Sequence, residues 1–132
     1  MPARRDFELS TRERCELVDV TGRVQEQVRA SGLSSGLVTV FCPHTTAAIT
    51  INENADPDVR TDVLMALERA VPNQGFRHAE GNSDAHTKAS LVGPSVTVIV
   101  EAGKLQLGTW QSVFFCEFDG PRRRKVWVQT LP

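Results

Sequence analysis

The sequence predicts an α+β fold, a mostly antiparallel, sandwich-like β-sheet packed with about three helices. Three observations lead there. Short segments of alternating or continuous β-branched and apolar residues occur along the whole chain, as at Gly36 to Cys42 and Ser95 to Val100. Three stretches instead carry helical spacing with recognisable ends. After Gly93-Pro94 the remainder reads as strands joined by turns, which gives helices packed against a mostly antiparallel sheet.

In chain order, Phe7 and Leu9 alternate with Asp6, Glu8 and Ser10, the pattern of a half-buried strand. Glu16 to Val20 reads as a second strand. Thr21 is placed to cap a helix carrying Val24 and Val28, which Gly32 ends. Gly36 to Cys42 is apolar enough for a central strand, interrupted by Pro43. Thr45 to Asn52 continues in extended form with Ala47, Ile49 and Ile51 on one face. Asp56-Pro57 then opens the clearest helix, with a capping carboxylate and proline at the first helical position. Its stripe is Val59, Val63, Ala66, Leu67 and Ala70, and Pro72 stops it. Asn82 or Ser83 caps a third helix that runs to about Val92, before Gly93-Pro94. The rest is β: Ser95 to Val100, Lys104 to Leu107 after a turn at Gly103, and Trp110 to Phe118. Asp119-Gly120-Pro121 is a turn signal, so Lys125 to Gln129 is expected to pair antiparallel with the strand before it.

Composition narrows the function classes. A chain of 132 residues suits one domain, taken as 1–132, with a core that needs no disulfide or structural metal. The net charge of −1 and the single basic cluster Arg122-Arg123-Arg124-Lys125 give no nucleic-acid footprint. No apolar run reaches membrane-spanning length and no signal-peptide core is visible, so a cytoplasmic protein is expected. Cys15, Cys42 and Cys116 form no C-x-x-C pair and read as buried, reduced thiols; Cys42, two residues before His44, is a minor nucleophile candidate.

The candidate chemistry lies at element boundaries. His44 follows the break at Pro43, and the hydroxyls of Thr45 and Thr46 follow it. His78 opens a polar stretch with Glu80, Asn82, Asp84 and His86. His86 falls in the first turn of its helix, where free N–H groups suit a neutral imidazole and can also hold a phosphate. If His44, His78 and His86 converge, they make an open three-imidazole site of catalytic zinc type, with Glu80 or Glu53 as general base. The spacing matches no standard zinc signature, and three separate capping or surface histidines are the alternative. Asn54 at a strand-to-helix junction, Trp110 and Gln111 after Gly108, and Arg122 after a turn are further ligand-contacting candidates. Core packing serves Trp110 equally well, and a solvated turn is the default for at least two of Arg122, Arg123 and Arg124.

The motifs His44-Thr45-Thr46, Asn52-Glu53-Asn54-Ala55-Asp56-Pro57-Asp58-Val59, His78-Ala79-Glu80-Gly81-Asn82-Ser83-Asp84-Ala85-His86, Gly108-Thr109-Trp110-Gln111 and Asp119-Gly120-Pro121-Arg122 occur in this order. Together they resemble the YjbQ-like, or secondary thiamine-phosphate synthase, family over nearly the whole chain. The resemblance implies a homotrimer. It also implies a site near subunit boundaries that uses His44, His78 and His86 with Glu80 and Asn82 close by, and a weak thiamine-phosphate synthase activity secondary to another role. That reaction displaces pyrophosphate, so cationic or N–H donors must stabilise the leaving group. Arg122, Lys88 and the start of the His86 helix are candidate donors. Histidines suit zinc better than magnesium, which leaves zinc the favoured metal and magnesium the alternative. Three functions follow: an enzyme acting on a small phosphorylated metabolite (a transferase or metal-assisted hydrolase), a non-catalytic binder of a small anion, or a trimeric interaction module.

Overall fold

A computed structural model describes residues 3–132. The order is β1 (Arg5–Ser10), β2 (Glu16–Asp19), α1 (Thr21–Ser31), β3 (Gly36–Phe41), β4 (Ala47–Glu53), α2 (Pro57–Ala70), α3 (Ser83–Val92), β5 (Ser95–Glu101), β6 (Lys104–Leu105), β7 (Gln111–Glu117) and β8 (Arg123–Leu131). These strands make two antiparallel sheets, β1-β8-β3-β5-β6 and β2-β7-β4, so the α+β reading holds.

Alternation decides what each strand buries. Val38 and Val40 of β3, Val126 and Val128 of β8, and Val98 and Val100 of β5 point into the space between the sheets. Ala47 and Ile49 of β4 and Val113 and Phe115 of β7 meet them from the other side. The opposite face of the smaller sheet supplies Leu17, Ala48, Phe114 and Cys116, which α3 covers with Ala85 and Ala89. β7 is therefore apolar on both faces, and its nearly unbroken run Val113-Phe114-Phe115-Cys116 reflects cover on both sides rather than a parallel neighbour. α1 sends Val24 and Val28 into the inter-sheet core.

Several expectations change. β8 does not pair with β7. It lies between β1 and β3, and the turn at Asp119-Gly120-Pro121 carries the chain from one sheet to the other. The reason is that the inward residues of β8 and β7 face each other across the core instead of lying side by side. Thr21 does not cap α1. Its hydroxyl accepts from Val113 N–H at 2.8 Å, and Asp19 Oδ1 accepts from Thr21 N–H at 2.9 Å. Gly32 closes that helix in the left-handed conformation, φ 73°, as expected. β4 begins at Ala47 rather than Thr45, β6 ends at Leu105 rather than Leu107, and Trp110 sits in the turn before β7. Asp56 caps α2 by accepting from Asp58 N–H at 2.9 Å. Yet α2 buries no residue fully: Val59, Val63 and Leu67 are half-buried, and Ala66 and Ala70 are exposed. No helix among the described residues is long and apolar enough to cross a membrane.

Candidate functional site

The turn between β7 and β8 is the joint to which His44, Thr46, Asn82 and Arg122 are tied. Its rigidity starts with a buried ion pair. Alternation points Glu117 of β7 and Arg124 of β8 inward, where they are 0% and 2% exposed. Arg124 donates to Glu117 through Nε at 2.8 Å and through its terminal nitrogen, which also donates to Thr46 Oγ1 at 2.9 Å. Glu117 further accepts from Thr11 Oγ1 at 2.7 Å and Asp119 N–H at 3.0 Å. Burial alone would raise the Glu117 carboxyl, but Arg124, Asp119 N–H and Thr11 outweigh it and hold its pKa below the ordinary value. Gly120 belongs here because any Cβ would collide with Glu13 O, Glu117 and Thr11.

On one flank stands His44. Its Nε2 accepts from Lys125 N–H at 2.9 Å. The pKa of His44 is lowered, by burial first and by Arg124 second. A neutral imidazole that accepts at Nε2 carries its proton on Nδ1, so His44 offers an N–H donor rather than a free lone pair. Thr45 is exposed, whereas Thr46 is buried and committed to Arg124.

The other flank is the start of α3. Asn82 is its N-cap residue by position, but its side chain does not cap the helix. Nδ2 donates instead to Asp119 Oδ2 at 2.8 Å, and the same oxygen accepts from Arg122 at 3.0 Å. The remaining Asn82 oxygen, Oδ1, is buried and meets no donor among the described residues. His78 and His86 pack edge to face, with ring centroids 5.6 Å apart, and Glu80 Oε1 lies 3.8 Å from His78 Nε2. Their backbone is braced by Asn73 Nδ2 donating to Gly81 O at 3.0 Å.

A second charged cluster, absent from the sequence reading, fixes the orientation of α3. Asp84 is fully buried and accepts both Arg14 contacts, at 3.0 and 3.1 Å. Lys88, also buried, lies 3.5 Å from Asp84 and donates to Glu68 of α2 at 2.6 Å. Burial opposes ionisation of Asp84, but Arg14 and Lys88 prevail and its pKa is lowered. Lys88 is thus committed inside the protein and is not a donor for a ligand's leaving group.

The remaining candidates lie elsewhere. Glu53 pairs in register with Gln111, and Asn54 N–H donates to Trp110 O at 2.9 Å, all at the far end of β7 from Asp119. With seven residues in β7, the two ends stand about 20 Å apart. Trp110 is 63% exposed, so it is not a core residue, and Gln111 Oε1 accepts from Gly108 N–H at 2.8 Å. Within one chain, His44, Asn82 and Arg122 bond to the β7–β8 turn and its flanks, His78, His86 and Glu80 form a separate group around the start of α3, and Asn54, Trp110 and Gln111 lie at the other end of β7.

No three His, Cys, Asp or Glu side chains among the described residues are arranged to hold a metal. Among the described residues a single chain therefore supplies the His78–His86 pair without a third ligand. Burial pushes the thiols of Cys42 and Cys116 up to about 11 and about 12, far from the thiolate a nucleophile needs. Of the arginines, Arg123 pairs with Glu8 at 2.6 Å on the surface and Arg122 is half-exposed beside Asp119. Only Arg124 is buried. Its place in alternation with Val126, Val128 and Thr130 is the signal that could have found it.

Residues 5–132 match the family described as UPF0047 protein YjbQ-like. A UPF0047 protein of Methanocaldococcus jannaschii is 50% identical over 95% of this chain and 91% of its own. The UPF0047 protein YugU of Bacillus subtilis is 48% identical over 95% and 96%. An uncharacterised YjbQ/UPF0047 protein of Clostridium acetobutylicum superposes with a TM-score of 0.94 at 53% identity, covering 96% of this chain and 99% of that one. A protein of unknown function from Sulfolobus solfataricus superposes equally well, with a TM-score of 0.94, at 34% identity over 98% and 96%.

Proposed function

The chain belongs to the UPF0047 YjbQ-like family, and from that premise we propose that it binds a small phosphorylated metabolite at the β7–β8 turn. His44, His78, His86 and Arg122 are the donor groups of this reading. Asn82 and Glu80 are its polar neighbours, and Thr45 is the free hydroxyl. The observation that carries it is the orphaned Asn82 Oδ1, buried at the start of the helix that carries His86, its own amide sharing Asp119 with Arg122. A buried acceptor without a donor is costly, and a ligand donor would relieve it. The ligand therefore combines anionic oxygens, for Arg122 and the imidazoles, with one N–H or O–H group for Asn82.

The turnover proposed for this pocket is slow and secondary, as in thiamine-phosphate synthesis. There a thiazole nitrogen forms a bond to the pyrimidine methylene carbon, the carbon–oxygen bond to diphosphate breaks, and pyrophosphate leaves with the electron pair. Arg122 and protonated nitrogen on the imidazoles would stabilise that leaving group. The second reading, binding without turnover, draws on the silent thiols and on His44, whose Nε2 is already engaged by Lys125 N–H. A metal, zinc by preference, would require a ligand from a second copy, in keeping with a cytoplasmic homotrimer in which Trp110, Gln111 and Asn54 of one copy approach the turn of another. An exposed apolar row across the larger sheet, Leu131, Leu37 and Ile99, supports self-association.

Calorimetric titration with thiamine phosphate and inorganic phosphate tests the reading, alongside an assay of thiamine-phosphate formation. Saturable binding that weakens about tenfold or more in Arg122→Ala and His86→Ala is expected. Binding unchanged in both variants would refute the site. Zinc at about one equivalent per chain, measured by elemental analysis and lost in His78→Ala, would add the metal.

A further inference from the structure

On the far side of the smaller sheet from the inter-sheet core, α2 stands off its support. Its inward stripe, Val59, Val63 and Leu67, is only half-buried. Beneath it lies a cavity of about 120 Å3. The floor is Leu17, Phe114 and Cys116 of the sheet, and the walls are Val63, Leu67 and Val92. All six are apolar, so water gains little by filling the space. An apolar cavity of ~150 Å3 admits benzene, which sets the scale for what fits here.

The lining also has polar members. Thr50, Asn52 and Arg60 border the space. Arg60 reaches over the Phe114 ring, 5.6 Å from its centroid, and no carboxylate pairs with it among the described residues. Glu53 also borders the space, but alternation along β4 turns its side chain to the opposite face from Thr50 and Asn52. On the face of β4 that α2 covers, the lining thus combines one cation, Arg60 over Phe114, with the neutral polar side chains Thr50 and Asn52 and the apolar residues. This is the usual composition of a small-ligand pocket: an apolar body with few polar groups that fix orientation.

We propose that the space between α2 and the smaller sheet is a binding site for a small carboxylate whose body is a ring or a branched chain of four to six carbons. The body occupies the hole between Phe114 and Leu67, and the carboxylate meets Arg60. This site shares no residue with the β7–β8 turn, so its fate is independent of the function proposed there.

The test uses methyl-resolved NMR of the full chain, titrated with 4-methylpentanoate and, separately, with benzene. Both probes are expected to give saturable shifts at the Leu17, Val63 and Leu67 methyls and to compete with each other. Arg60→Gln, at a half-exposed helix position, should weaken 4-methylpentanoate about tenfold or more and leave benzene unchanged. Val63→Phe, which fills the hole, should abolish both. The proposal is overturned if neither probe saturates, if the shifts centre on other methyls, or if Arg60→Gln affects both probes alike or neither. Should Val63→Phe fail to fold by circular dichroism, the competition and the Arg60→Gln result decide alone.

Discussion

Replacing Arg124 by methionine removes the partner of a carboxylate that has no exposure to water. Arg124 makes two contacts to Glu117 and two to Thr46, and methionine replaces none of them. Breaking a buried pair from one side costs about 3–5 kcal/mol, because the surviving charge stays buried without compensation. At about 2.1 cal/mol/K of unfolding entropy per residue, the 132-residue chain should lose roughly 10–18 °C in Tm. The pH dependence makes the argument specific. In the unsubstituted protein the folded Glu117 pKa lies below its unfolded value, so its contribution is full above the ordinary carboxylate range. It is lost as pH falls through the folded pKa. In Arg124→Met the Asp119 N–H and Thr11 contacts remain, but the strongest opponent of burial is gone, so the folded pKa rises and the penalty of the buried carboxylate is relieved as pH falls. The stability gap between the two proteins should therefore narrow between pH 7.5 and pH 5. Urea denaturation at both pH values reads this directly. A loss under about 1 kcal/mol, or a gap that does not change with pH, would refute the reasoning.

Other expectations follow from the same contacts. His86→Ala removes an imidazole whose ring contact is the edge of His78, so Tm should move by no more than about 2–4 °C; extensive unfolding would mark a structural role. Asp84→Asn leaves Lys88 buried with Glu68 alone and should cost about 3 kcal/mol in urea. Since the folded Asp84 pKa is lowered, the stability it adds is present at neutral pH and lost in acid, so the acid limb of the stability curve should flatten in the variant. Under native conditions at pH 8, a thiol reagent should modify half-buried Cys15 before Cys42 or Cys116, whose thiols are pushed up to about 11 and about 12. Mass spectrometry showing Cys42 labelled first would contradict this.

The sequence disclosed the elements better than their partners. Periodicity located β3, β5 and α2 because each has a single dominant pattern, and α2 also has a strong start in the Asp56 cap. It could not say that β7 and β8 separate, since a tight turn signal looks the same whether the strands after it pair or cross between sheets. The histidine stretch was legible as a site candidate because polar residues at a helix start stand out. Arg124 and Glu117 were not, because a charge in an inward position reads as a surface charge until the partner strand is known. Lys88 was misread as a ligand donor for a related reason: its two carboxylate neighbours come from different helices, and one of those contacts is tertiary.

Sheet order also governs how the chain can reach this arrangement. Of all the strand pairs, only β5 with β6 joins neighbours in sequence. The rest must bring together distant segments, as when Phe7 meets Val126 or Leu17 meets Cys116. Each such closure costs chain entropy before its contacts reward it, and folds dominated by these pairings cross their barriers in milliseconds to seconds. The joint around Asp119 is tied at once to Thr11 near one end of the chain and to Arg124 near the other. It cannot form early, and a nascent chain emerging in order would hold Asn82 at the start of α3 long before Asp119 arrived to accept from it.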